Sequence, residues 1–499
     1  MNSAVVSADQ MRAAEEAAFA RGLTAESLMD EAAAGIARAI AKFFPRPGRC
    51  LVFAGKGNNA GDSFAAASLL RAQGWKIDLR LAFSESDMGE LARKKLQAFH
   101  AGGTAAVPSS PGAFLHTIVL DGLLGLGARP PLREPITSAC REINRLRCEE
   151  NAYVFAIDLP TGLGDDKGKT DDNCVRADCT ITIGFAKQGL LVDEAVNFVG
   201  RLEVVALRDL RSDEIPIIPG AAAAHLATAS VRQFLPRREF NAYKNQFGRV
   251  GVVAGSKGFT GAALLCSLGA LRAGAGLVEL FVPEDIYPIV AAAAAAEVMV
   301  KPVSSYGHLL DQPIDVWAVG PGLGRDRATE ILAFIEHASR PMVVDADGLN
   351  ILSQNMAALP RSAGPRLLTP HPGEMKRLFP SQTGSRAEVA QSFCHEYPVT
   401  LLLKGSRTIV AEKARPLSYN TTGNPGMATG GMGDVLTGVC AALIAQKLAP
   451  YEAARLGAWL CGRAAEIAIF SGAASQESLL PSDLLDHLGA AFQDPWEAG

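Results

Sequence analysis

Short runs of consecutive apolar residues, ending in glycine, aspartate or proline, alternate with longer alanine- and leucine-rich stretches along most of the chain. No other feature of the sequence constrains the fold as much. A strand with one wet face alternates apolar and polar residues, whereas a strand covered on both faces is apolar at successive positions. Strands are expected at 50–54, 77–82, 117–120, 153–157 and 179–183, many of them runs of the second kind. A further set is expected at 249–254, 278–282, 316–319, 342–344, 366–369 and 400–403. Helical stretches between such strands serve as crossovers of a parallel sheet. The pattern predicts an α/β protein with mainly parallel sheets covered by helices on both sides.

The alternation lapses in SDEIPIIPGAAAAHLATASVRQFLPRR, which holds three prolines and a four-alanine run and shows no strand pattern. We expect a linker at 216–224 and a short lead-in helix there, between domains at 1–215 and 225–499. A length of 499 residues allows two such cores. Lys and Arg number 48 against 52 Asp and Glu, so the chain lacks the broad basic field of a nucleic-acid binder. Its longest apolar stretches, such as 290–296, fall far short of the ~20 residues that span a bilayer. Neither nucleic acid nor membrane is expected as a partner. Nine cysteines without CxxC spacing, and an N-terminal segment with no signal-peptide core, lead us to expect reduced thiols and a cytoplasmic location.

In the first half, CLVFAGKGNNAGDSFAAASLLRAQG reads as strand, glycine loop and helix, with Asp62 as the expected N-cap. Gly55, Gly57 and Gly61 would let backbone N–H groups approach a nucleotide-like anion, although many α/β turns need glycine for geometry alone. The runs TIVLDGLLGLG and YVFAIDLPTGLG end in Asp121 and Asp158. Ligands of an open parallel sheet lie beyond the carboxyl ends of its strands, so both carboxylates should converge with Asn58 and Asn59. Oxygen groups such as Asn59, Asp121 and Thr161 suit a hard cation, and no Cys/His set suits zinc.

In the second half, five of the eleven residues from 423 to 433 are glycine, and a helix with an apolar stripe follows from near Asp434. Free N–H groups at a helix N-terminus suit a transferring phosphoryl group, with Asp434 placed to take a hydroxyl proton. No GxxxxGK[ST] occurs, so the nucleotide is held otherwise than in P-loop enzymes. KGSRT after the strand at 400–403 offers a lysine and backbone for phosphates. His371 sits between Pro370 and Pro372, which hold the backbone extended, and Glu374 opens a helix.

These residues carry two resemblances. GKGNNAGD, LDGLLGLG, AIDLPTGL, FAKQGL and LMDEAAAGIA resemble the NAD(P)H-hydrate epimerase domain over essentially all of 1–215. That resemblance implies a Rossmann-like three-layer α/β/α domain. Its substrate site would comprise Asn58, Asn59, Ala60, Gly61, Asp62, Gly125, Leu126, Gly127, Ala128, Arg129, Pro130, Pro131 and Asp158. Asp158 would also be catalytic, and Asn59, Asp121 and Thr161 would bind potassium. Ala60 and Ser63 stand where glycine is usual, and Thr161 where serine is.

AGSKGFTGAALL, VGPGLG, VVDADGLNIL, LLTPHPGEM, LLLKGSRT and TTGNPGMATGGMGDVLTG resemble the ADP/ATP-dependent NAD(P)H-hydrate dehydratases of the ribokinase-like superfamily. By that resemblance the second domain is a ribokinase-like α/β/α unit in which Ala262, Gly322, His371 and Asp434 meet the substrate. Asp434 would be catalytic, and Lys404, Gly405, Ser406, Arg407, Thr408 and Gly433 would hold ADP, or ATP as the alternative donor, with magnesium. Met432 replaces the usual serine. The fused pair implies repair of NADH and NADPH hydrates, NADHX and NADPHX, by epimerisation and ADP-dependent dehydration. A homo-oligomer is expected. Two rivals remain at this point: a vitamin-precursor kinase of the same superfamily, and a first domain that only binds nucleotide or RNA.

Overall fold

The computed structural model describes residues 3–102, 116–127, 130–164, 166–216, 223–235 and 237–493. The chain divides into two compact units, Met1–Ala224 and His225–Gly499. Among the described residues no helix is long and apolar enough to cross a membrane. Eight of the nine free cysteines are buried and Cys148 is exposed.

The first unit holds six parallel strands: β1 (Arg49–Ala54), β2 (Lys76–Leu81), β3 (Thr117–Gly122), β4 (Tyr153–Ile157), β5 (Cys179–Ile183) and β6 (Arg201–Val205). Their order is β2-β1-β3-β4-β5-β6. Successive side chains go to opposite faces: Val52 and Leu120 join one apolar cluster, and Leu51, Phe53 and Val119 join another. That is why β1, β3 and β4 read as consecutive apolar residues, whereas the edge strand β2, KIDLRL, alternates. Helices α1 (Ala8–Ala20), α2 (Ala25–Phe43), α3 (Asn58–Ala72), α4 (Glu90–Ala101) and α5 (Ile136–Glu149) cover the sheet. The strand order reverses between β1 and β3, so a crevice is expected at their carboxyl ends.

The second unit is a ten-stranded sheet of β7 (Ala224–Ala227), β8 (Arg249–Val253), β9 (Leu277–Pro283), β10 (Val298–Val303), β11 (Val316–Val319), β12 (Met342–Val344), β13 (Arg366–Leu368), β14 (Thr400–Leu403), β15 (Thr408–Ala411) and β16 (Leu417–Asn420). The order is β10-β9-β8-β11-β12-β13-β14-β15-β16-β7. Pairing is parallel from β10 to β14 and antiparallel at β14–β15 and β15–β16. Helices α6 (Thr260–Arg272), α7 (Ala328–His337), α8 (Ala346–Leu352), α9 (Pro372–Leu378), α10 (Arg386–Glu396), α11 (Met432–Ala445), α12 (Pro450–Phe470) and α13 (Pro481–Gln493) complete it. Helix α11 is buried nearly all round, as an apolar helix inside a large core must be. It meets α6 backbone to backbone: a Cβ on Gly438 would lie 2.0 Å from Cys266 O.

Strands β6, β7, β10, β15 and β16 are absent from the expected set. Strands β7 and β10 are sheet edges, where one row of main-chain groups is unpaired and the sequence need not be uniformly apolar; β10 contains Pro302. The expectation that no strand lies within 212–238 is therefore corrected by β7, and a 3-10 turn at Ala229–Phe234 stands where the lead-in helix was expected. Residues 217–222 of the expected linker lie outside the described residues.

Candidate active sites

In the first unit the crevice is built from β1, β3 and β4. Helix α3 begins at Asn58 with Gly57 as its N-cap, so Asp62 lies inside the helix and is not the expected cap. The motif residues 58–62 thus form one and a half helical turns at the sheet edge. Ala60 is fully buried in a helical position where its Cβ packs beside Phe64 and Leu96, and Ser63 donates to Asn59 O. Asp121 ends β3 fully buried. It accepts from Thr161 N at 2.8 Å, Thr161 Oγ1 at 2.7 Å and Leu123 N at 3.3 Å. Burial pushes its carboxyl up to about 6, against those hydrogen bonds. Asn59 Nδ2 donates to Leu124 O at 3.1 Å, while buried Asn59 Oδ1 has no donor.

An orphan amide oxygen near a buried carboxylate bonded only to neutral donors is a set that an oxygen-liganded monovalent cation would satisfy. Thr161 is more committed than Asn59: its hydroxyl donates to Asp121 and accepts from Leu124 N. Gly125 lies against Asn59, with an added Cβ 3.4 Å away, and Leu126 packs partly into the core. Gly127 takes a left-handed φ of +104°. Ala128 and Arg129 lie outside the described residues. Pro130 approaches Gly164, and Leu132 N donates to Asp171, so the end of this segment at Pro130 and Pro131 is anchored to the 164–171 turn.

Asp158 follows β4 with φ +66°, a conformation uncommon outside glycine and asparagine and frequent at functional turns. Its Oδ1 accepts from Lys187 Nζ at 2.5 Å, Ile183 N at 3.2 Å and Thr182 Oγ1 at 3.4 Å. Lys187 is almost fully buried and also donates to Thr182 Oγ1 and Ile183 O. Sequence reasoning had Lys187 in a quoted motif and gave it no role. Glu15, on α1, was also missed; burial raises its carboxyl, Lys187 opposes that, and Asp158 adds to it.

In the second unit the order reverses between β8 and β11, and the two following loops are tied together. Gly255 N donates to Pro321 O at 2.8 Å and Ser256 Oγ to Gly322 O at 2.8 Å. Gly322 has φ +61°, and an added Cβ would stand 3.0 Å from the Ala262 Cβ, so this predicted pair does come together. His371 is the N-cap of α9: Nδ1 accepts from Gly373 N at 3.0 Å, and its side chain stays half exposed. Glu374 accepts from His371 N at 2.8 Å, so it lies within α9 rather than opening it.

The convergence point is Asp345, at the end of β12 and 1% exposed. It accepts from Lys404 Nζ at 2.7 Å and from Thr437 Oγ1 at 2.7 Å. Gly433 lies against this pair, its added Cβ being 3.3 Å from Lys404 Nζ and 3.5 Å from Asp345 Oδ2. Helix α11 starts at Met432 on Gly431, whose φ is +94°, so Asp434 occupies the first turn and is not the cap. The Asp434 carboxyl is pushed up to about 7, chiefly by burial and then by Asp345, with Lys404 opposing. Met432 turns into the apolar core. The turn 404–407 is stapled by Arg386, whose Nη2 donates to Leu403 O, Lys404 O and Arg407 O. Within that turn Thr408 Oγ1 donates to Gly405 O, and Arg407 Nη1 to Ser406 O. Asp345, Thr437 and Arg386 were not among the expected site residues.

A family model described as NAD(P)H-hydrate dehydratase matches residues 250–488, and one described as YjeF-related protein N-terminus matches residues 25–189. A bifunctional NAD(P)H-hydrate repair enzyme from Moorella thermoacetica is 37% identical over 88% of this chain and 86% of its own length. The chain belongs to the bifunctional NAD(P)H-hydrate repair enzyme family. An Escherichia coli repair enzyme of the same name is 33% identical over 92% of this chain and 88% of its own. A solved ADP/ATP-dependent NAD(P)H-hydrate dehydratase from Bacillus subtilis is similar over 54% of this chain and 97% of that chain, at 29% identity and a TM-score of 0.46. Membership in the repair-enzyme family does not favour the vitamin-kinase rival or a first domain that merely binds.

Proposed function

We propose that this repair enzyme restores NADH and NADPH from their hydrates, with the first unit interconverting the R and S forms and the second dehydrating the S form at the expense of ADP. The observation that carries the second activity is Asp434: a carboxyl near 7, in the first turn of α11, beside Lys404 and behind a glycine-rich approach. Such a group accepts a proton from the substrate's ring hydroxyl at neutral pH. The hydroxyl oxygen then attacks the terminal phosphorus of ADP, held with magnesium, and the bond from that phosphorus to the bridging oxygen breaks to release AMP. Main-chain N–H groups of the 430–433 loop and Lys404 would offset the developing charge. Phosphate leaves with the ring oxygen, a ring proton is lost from the neighbouring carbon, and the double bond returns.

In the first unit Asn59, Asp121 and Thr161 would hold potassium, which would supply fixed positive charge beside the substrate. Asp158 would handle the proton, and residues 58–62 would line the substrate site. Purified protein, given a mixed R and S hydrate sample with ADP and magnesium, should regenerate NADH completely. Parallel arms use ATP in place of ADP, and tetramethylammonium in place of potassium. Dehydration confined to the S portion, at the spontaneous epimerisation rate, would remove the first-unit assignment. No ADP-dependent NADH formation would remove the second.

A further inference from the structure

The two aspartates at the first crevice stand in opposite surroundings. The Oδ1 of Asp158 is caged by an ammonium, a main-chain N–H and a hydroxyl, all within 3.4 Å. Among the described residues no hydrogen bond reaches its Oδ2, which leaves that oxygen free for substrate. Asp62, half-buried on α3, receives no hydrogen bond and no ion pair from the described residues. Its charged neighbours are Asp158 beyond β4, Glu15 on α1 and Lys187. On the helices packed against α3, Lys95 of α4 is turned to Glu26 and Asp30 of α2.

We propose that Asp62 is the general acid of epimerisation and Asp158, held by Lys187 as a positioning residue, is the general base. This rests on the epimerase reading above. Dihydronicotinamide is an enamine, so water adds at the carbon beside the ring nitrogen and gives a carbinolamine. Inversion there requires the hydroxyl to leave as water, taking a proton from an acid while the nitrogen lone pair forms a C=N bond. Water then adds to the opposite face and gives its proton to a base. The proton returns from Asp158 to Asp62 through water, and no redox partner is needed. Paired carboxyls whose surroundings separate their protonation mark such an acid and base. Burial, then Asp158 and Glu15, hold the Asp62 carboxyl well above the usual range, and Lys187 opposes them.

The test follows R-to-S conversion by the full chain without ADP, across pH, with ADP-dependent dehydration of the S form measured alongside. The wild-type rate should fall at high pH, as Asp62 loses its proton. Asp62→Asn should lose about 100-fold in kcat, and Asp62→Glu should recover part of it. Lys187→Met should slow epimerisation and move the alkaline limb to higher pH, because the cation that opposes protonation of Asp62 is gone; Lys187→Arg should restore both. Wild-type epimerisation with no alkaline limb, or Asp62→Asn within threefold of wild type, overturns the proposal and leaves the epimerase reading standing. A wild-type chain that does not accelerate epimerisation sinks that reading itself.

Discussion

Replacing Asp434 by Asn should stabilise the second unit at pH 8 while removing dehydration. Surroundings that lift the carboxyl from its ordinary 3.8 to about 7 make the native state bind a proton more tightly than the unfolded chain does. Native stability therefore falls as pH climbs from about 4 to about 7, and the loss is complete above that range. Integrated over that interval, the cost of the ionised carboxylate is about 4 kcal/mol at pH 8 and about 1.5 kcal/mol at pH 5. An asparagine does not titrate and escapes this cost. The stability gain of Asp434→Asn should therefore be larger at pH 8 than at pH 5 by about 2 to 3 kcal/mol. Urea unfolding of the full chain at both pH values, read through hydrogen exchange of α11 peptides, isolates the second unit. Equal gains at the two pH values, or a net loss at pH 8, would refute the electrostatic account of this residue.

The same carboxyl sets the pH dependence of dehydration. kcat/KM should fall about tenfold from pH 8 to pH 6; Asp345→Asn, by removing the carboxylate that does most to raise Asp434 after burial, should move this limb to lower pH. A limb unmoved in that variant would separate Asp345 from the base. Gly438→Ala forces a methyl to within 2.0 Å of Cys266 O across the α6–α11 contact. The overpacking should cost the second unit about 3 kcal/mol; a thermal transition within two or three degrees of wild type (roughly 1 kcal/mol or less for a unit of this size) would count against a rigid helix contact.

Much of this was legible in the chain because burial on both faces leaves an unmistakable mark: β1, β3 and β4, and in the second unit β8, β11 and β12, fall where consecutive apolar residues required them. That mark is weaker at sheet edges, where β6, β7 and β10 escaped notice, although the edge strand β2 was read at 77–82 and the interior strands β15 and β16 were not read. The cap expected at Asp62 and the helix start expected at Glu374 were misplaced because a helix start depends on where the preceding backbone turns, not on which acidic residue comes near it.

The sequence by itself determined the α/β class and the clustering of glycines and aspartates at strand ends, since both follow from local composition and period. Only the tertiary structure decided which charges face one another. Lys404 meets Asp345 across 59 residues, Thr437 meets it across 92, and Lys187 meets Asp158 across 29. A buried lysine and an exposed one are the same letter. Parallel crossovers bring distant strand ends to one edge, and removal from water there raises carboxyls such as Asp434 and Asp62, Asp434 as far as about 7.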